Sequence, residues 1–128
     1  MSVSGSCACG GVKVKLTGNL RDVVLCHCTQ CRKTSGHYWA ATQVDSDDLI
    51  LLTETTLNCY RSSDIARRGF CSGCGASLFY ERYGEGRRAV ATGTLDGTID
   101  LKIMRHIYVA SKGNYYLVTD GAPQFEEY

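Results

Sequence analysis

Seven of the eight cysteines in this chain fall into three tight groups: Cys7-x-Cys9, Cys26-x-Cys28-x-x-Cys31 and Cys71-x-x-Cys74. That grouping constrains the fold more than any other feature. Disulfide frameworks spread their cysteines, because near neighbours are strained when bridged to each other. Tetrahedral thiolate ligation instead gathers several sulfurs within about 4 Å, at Zn–S distances near 2.3 Å. The chain opens Met-Ser-Val-Ser-Gly-Ser-Cys, with neither a basic start nor an apolar segment, so a cytoplasmic address is expected. Thiols stay reduced there, which again favours metal over disulfides. The three groups are read as zinc ligands.

Ligand counting then divides them. Cys71-Ser72-Gly73-Cys74-Gly75 reads as a zinc-knuckle turn, with glycines for the positive φ that such turns use. It supplies two ligands and needs two more. Cys7 and Cys9, at i and i+2, point the same way from an extended chain and complete a closed four-thiolate site. Closing the 61 intervening residues costs roughly 3–4 kcal/mol of loop entropy. Structural zinc sites contribute about 10–16 kcal/mol, so this first zinc is expected to staple the fold. Cys26, Cys28 and Cys31 remain, and three thiolates on a second zinc leave an open fourth position, as in catalytic sites. Cys59, in the strand-like Leu57-Asn58-Cys59-Tyr60-Arg61, could close that position; the alternative is a buried core thiol. His27, His37 and His106 show no ligand spacing and are read as structural or surface residues.

Between the cysteines the pattern is one of short strands. Val12, Val14 and Leu16 alternate with lysines and stop at Gly18-Asn19. Further strands are expected at 23–26, 38–44, 49–52, 57–61, 65–70, 77–81, 88–92 and 101–109, separated by Ser, Asp and Gly. Helical periodicity is limited to about one turn after Cys31. With one proline, 128 residues and no low-complexity linker, the expectation is a single all-β or β-rich domain spanning 1–128. A net charge of +1 offers no field for nucleic acid or anionic lipid, and no apolar run approaches a membrane span.

The ordered set of cysteine motifs resembles the glutathione-dependent formaldehyde-activating enzyme family, which also includes centromere protein V. Text around the cysteines carries the resemblance: Gly5-Ser6-Cys7-Ala8-Cys9-Gly10-Gly11, Cys28-Thr29-Gln30-Cys31-Arg32-Lys33-Thr34-Ser35-Gly36, Arg68-Gly69-Phe70-Cys71-Ser72-Gly73-Cys74-Gly75 and Asp120-Gly121-Ala122-Pro123-Gln124-Phe125. It implies an Mss4-like β fold with structural zinc on Cys7, Cys9, Cys71 and Cys74, and catalytic zinc on Cys26, Cys28 and Cys31. It also implies addition of a thiol such as glutathione to a small aldehyde such as formaldehyde, a carbon–sulfur lyase-type activity. Glutathione carries two carboxylates, so a cationic pocket is expected, with Arg32 and Lys33 the nearest candidates. Arg67-Arg68 and Arg87-Arg88 are read as strand-edge charges. Tyr38 and Trp39 are read as core aromatics that could also line a pocket. Asn114-Tyr115 stands where many members carry Pro-Trp before a last strand. A non-catalytic zinc-stabilised module that binds a protein is the alternative reading.

Overall fold

A computed structural model describes residues 2–128. Among these residues ten strands and one α-helix follow one another: β1 (Ser2–Ser6), β2 (Val12–Thr17), β3 (Val23–Cys26), α1 (Thr29–Ser35), β4 (Trp39–Asp45), β5 (Leu49–Glu54), β6 (Leu57–Arg61), β7 (Ala66–Cys71), β8 (Ser77–Arg82), β9 (Arg87–Ala91) and β10 (Ile103–Ile107). They build a three-stranded sheet, β1-β2-β5, and a seven-stranded sheet, β10-β3-β4-β9-β8-β7-β6. All neighbours are antiparallel except β10, which lies parallel to β3.

The alternation of β2 has a clear cause. Val12, Val14 and Leu16 are buried against Leu49, Val44, Leu78 and Val90, while the intervening lysines face outward. Each such side chain contributes about 1.5–3 kcal/mol on full burial. This core lies between the two sheets. The opposite face of the large sheet carries a second, smaller cluster: Trp39, Ala41, Ala91 and Cys31, flanked by Cys26, Cys28, Tyr80 and Ala89. Period 2 along β4 and β9 explains the split, since Val44 and Val90 point to one core and Ala41, Ala89 and Ala91 to the other.

The expected strands are present with end shifts of a residue or two, and three features differ. The stretch Ser-Val-Ser-Gly-Ser has no apolar alternation, yet it forms β1 through its ladder with β2. The turn foreseen after Cys31 is a two-turn helix that begins before it. Cys28 caps α1 by accepting the Cys31 N–H at 3.3 Å, and Gly36 ends it at φ 86°, its N–H returning to the Arg32 carbonyl. The third concerns the family pattern: Asn114-Tyr115 comes after β10, and no strand follows it among the described residues.

Candidate metal centres

The turn between β1 and β2 and the turn between β7 and β8 meet at one end of the inter-sheet core. There the sulfurs of Cys7, Cys9, Cys71 and Cys74 lie within 4.8 Å of one another. Cys7–Cys9 and Cys9–Cys71 are 3.7 and 3.5 Å apart. Those separations are far too long for disulfides and close to the roughly 3.8 Å edge of a tetrahedron with 2.3 Å Zn–S bonds. Backbone N–H groups point at the sulfurs: Val12 to Cys7, and Gly73 and Cys74 to Cys71, each at 3.3 Å. Gly10 and Gly75 take φ of +81° and +79°, and a Cβ on Gly73 would sit 3.4 Å from the Cys9 sulfur. The glycines let two turns close on one point.

The second group sits on the other face of the large sheet. Cys26 ends β3, Cys28 caps α1, Cys31 lies in its first turn, and their sulfurs also fall within 4.8 Å of one another. Cys59 is exposed on the edge strand β6 and outside this group; it neither completes the set nor joins the core. A strand at a sheet edge with both faces half open cannot bury a thiol.

Hydrogen bonding within each group spreads the thiol pKa values apart. Hydrogen bonds with Cys26 and Cys31 hold Cys28 far below the ordinary thiol range, and bonding to Cys28 and Cys31 pushes Cys26 far above it. In the four-cysteine group the Thr56 hydroxyl helps lower Cys71 to about 6, while Cys9 is pushed up to about 11, its Gly11 backbone bond outweighed by Cys71 and Cys7. Protons alone leave some sulfurs protonated; a divalent metal replaces them all. Both groups can hold a metal ion, and all-sulfur donor sets suit zinc.

The three-cysteine group opens onto a cavity of about 610 Å³. Its deep wall is the buried Trp39 with Tyr80 and Ala41; its mouth carries Arg21, Arg82, Arg87 and Glu85. Tyr108, at φ 56°, also lines it, in a backbone conformation bulky residues rarely adopt. Arg32 and Lys33 do not line this cavity. They occupy the last turn of α1, where positive charge complements the helix C-terminus. The basic residues the cavity does use, Arg21, Arg68, Arg82 and Arg87, come from four places in the sequence. Arg68 is not a strand-edge charge: it is 3 % exposed.

The histidines are not in either sulfur group. His27, between Cys26 and Cys28, turns away from them and is fully buried. Its Nε2 lies 2.8 Å from His106 Nδ1, whose ring places Nε2 2.8 Å from Asp120; on its other side Nδ1 meets the Tyr116 hydroxyl. Burial, then the neighbouring His106, holds His27 down to about 4, so its imidazole is neutral at pH 7.

The family model described as glutathione-dependent formaldehyde-activating enzyme matches residues 2–111. No curated protein matches the chain. A crystal structure of a Rhodobacter sphaeroides protein is 24% identical, with a TM-score of 0.63 over 76% of this chain and 91% of that one, which supports the fold alone. With its β-rich Mss4-like architecture and its ordered cysteine groups, the chain belongs to the glutathione-dependent formaldehyde-activating enzyme family.

Proposed function

We propose that this protein joins a thiol, glutathione or a close analogue, to a small aldehyde such as formaldehyde, and catalyses the reverse carbon–sulfur cleavage. The observation that carries this reading is an asymmetry. One sulfur group is closed by four ligands against the core, whereas the other has three and faces a cavity of about 610 Å³. In this reading Cys7, Cys9, Cys71 and Cys74 hold a structural zinc, and Cys26, Cys28 and Cys31 hold a catalytic one. Zinc bound there would lower the pKa of a thiol offered to its fourth position, giving a nucleophile at neutral pH.

The chain's own residues do the rest. Arg21, Arg82 and Arg87 supply fixed positive charge for the substrate's carboxylates, and Glu85 faces its ammonium group. Trp39 and Tyr80 keep water from the reacting sulfur. The sulfur attacks the carbonyl carbon, a C–S bond forms, and the carbonyl π pair moves to oxygen. That oxygen takes a proton from water, replacing the one the thiol released, and the product is an S-hydroxymethyl thioether. A reducing compartment such as the cytoplasm would keep the eight cysteines as thiols.

A test that reads this directly is exchange NMR between formaldehyde and its glutathione adduct at equilibrium. The protein should accelerate exchange over the buffer rate, and Cys28→Ser should remove the acceleration. No acceleration by protein carrying two zincs per chain would overturn the reading and leave a zinc-stabilised binding module.

A further inference from the structure

Arg68 is a buried cation beside the three cysteines. It enters from β7, opposite Tyr80 of β8 in the ladder, and the pleat turns both toward the cavity. Its guanidinium lies over the rings of Trp39 and Tyr80, at 5.2 and 4.9 Å from their centroids. Nε donates to Gln30 Oε1 at 2.7 Å, and one terminal nitrogen, Nη2, donates to Cys31 Sγ at 3.3 Å. The other, Nη1, is shut from water without a partner. Among the described residues no carboxylate pairs with Arg68.

An arginine cannot discard its proton inside a protein. A buried guanidinium without an anion is heavily penalised, so native arginines in such places are paired. Among the described residues, the one group within hydrogen-bonding reach that could carry a negative charge is the Cys31 sulfur. The arrangement makes sense if the sulfur group is negatively charged, and a divalent ion on three thiolates is negative by one charge.

We propose that Arg68 is a positioning residue for the three-cysteine centre. Its fixed charge neutralises the excess thiolate charge, and its bond to Cys31 orients that ligand. It thereby sets how tightly the centre holds its metal and how readily a substrate thiolate joins. With Arg68 the loaded centre is neutral, and a fourth thiolate brings it to one negative charge instead of two. A lysine would keep the charge but lose the planar fork and the stacking on both rings. This inference rests on the reading of Cys26, Cys28 and Cys31 as the second zinc site.

The experiment is competition between zinc-loaded protein and a chromophoric chelator, comparing wild type with Arg68→Met and Arg68→Lys. Arg68→Met should weaken one of the two zincs about tenfold to hundredfold, the range usual for partners of metal ligands, and leave the other unchanged. Arg68→Lys should recover part of the loss. In cobalt-substituted protein, the thiolate charge-transfer band of the weakened site alone should shift. Two zincs held by Arg68→Met as tightly as by wild type would overturn the proposal. So would a lysine variant no better than methionine, since packing and not charge would then be responsible. Should Arg68→Met fail to fold, Gln30→Leu frees the guanidinium's Nε anchor without removing its charge. It should weaken the same zinc a few-fold, and no change would again overturn the proposal. Wild-type protein that binds only one zinc removes the site itself, an outcome distinct from an indifferent Arg68.

Discussion

The two cysteine groups use the same ligand atom and differ in where the fold puts them. Cys7, Cys9, Cys71 and Cys74 join two turns separated by 61 residues along the chain, and two of the four are buried in the main core. Cys26, Cys28 and Cys31 span six residues, need no long-range closure, and sit under a cavity on the far face of the sheet. A ligand set that ties distant segments contributes to folding; one that is local to a strand end and a helix start leaves the fold to others. On the proposed reading, ligand number and sequence span together separate a structural staple from a reactive site.

The comparison can be broken most severely at the staple. Cys71→Ser should unfold the protein, because zinc-coupled folding energies of about 10–16 kcal/mol match or exceed a small domain's whole stability. Circular dichroism with a melting curve decides this, and a variant melting near the parent would dismiss the staple. Cys28→Ser, in contrast, should stay folded and lose one of two zincs by elemental analysis. If it unfolds as Cys71→Ser does, the two sites are not separable.

A smaller effect sharpens the cavity side. Arg82 and Arg87 are about half exposed and share Glu85. Replacing both with alanine should raise KM for glutathione about three- to tenfold with kcat little changed, as for lost uniform binding. Cysteamine, which has no carboxylate, should be indifferent; equal losses for both thiols would dismiss carboxylate recognition at the mouth.

The smallest effect lies away from both centres, at Glu81. It bonds Arg88 at 2.5 Å and Arg67 at 2.8 Å in a mostly buried fork. Burial works to raise its pKa, but the bonds from Arg88 and Arg67 outweigh it and hold the carboxyl below its usual range. Its stabilisation is therefore present above the unfolded value, about 4.3, and is lost as pH falls through the lowered one. Glu81→Gln should cost about 1–2 kcal/mol at pH 7, and denaturant titrations should show the gap closing in acid. A gap that persists at low pH would mean that packing, not charge, is lost.

The partition of the cysteines was legible in the sequence because metal ligation leaves a local mark: spacing along the chain reports spacing in space. The strands with apolar alternation were legible for the same reason, since one buried face imposes period 2 on β2. β1 was not, because Ser2–Ser6 owes its conformation to the ladder with β2 rather than to its own side chains. Arg68 was hidden differently. Two adjacent arginines look equally solvated, yet Arg67 pairs across the ladder with Glu81 and Arg68 with Tyr80. That register sends one to an ion pair and the other beneath the cavity. Arg32 and Lys33, next to Cys31 in sequence, fall in the last turn of its helix and do not line the cavity.

The hydrogen-bonded row from Tyr116 through His27 and His106 to Asp120 bears on where this unit stops. A carboxylate only accepts, so His106 gives it the Nε2 proton; in the arrangement with both imidazoles neutral, His106 accepts at Nδ1 from His27, and His27 in turn accepts from Tyr116. Every proton leans one way, toward the tail. The family match closes at residue 111, before both Tyr116 and Asp120. A chain trimmed to the matched span would strand two imidazoles in the interior, one of them between Cys26 and Cys28. The boundary drawn by family likeness falls short of the boundary drawn by hydrogen-bond satisfaction, and an engineer who grafts this site should follow the second.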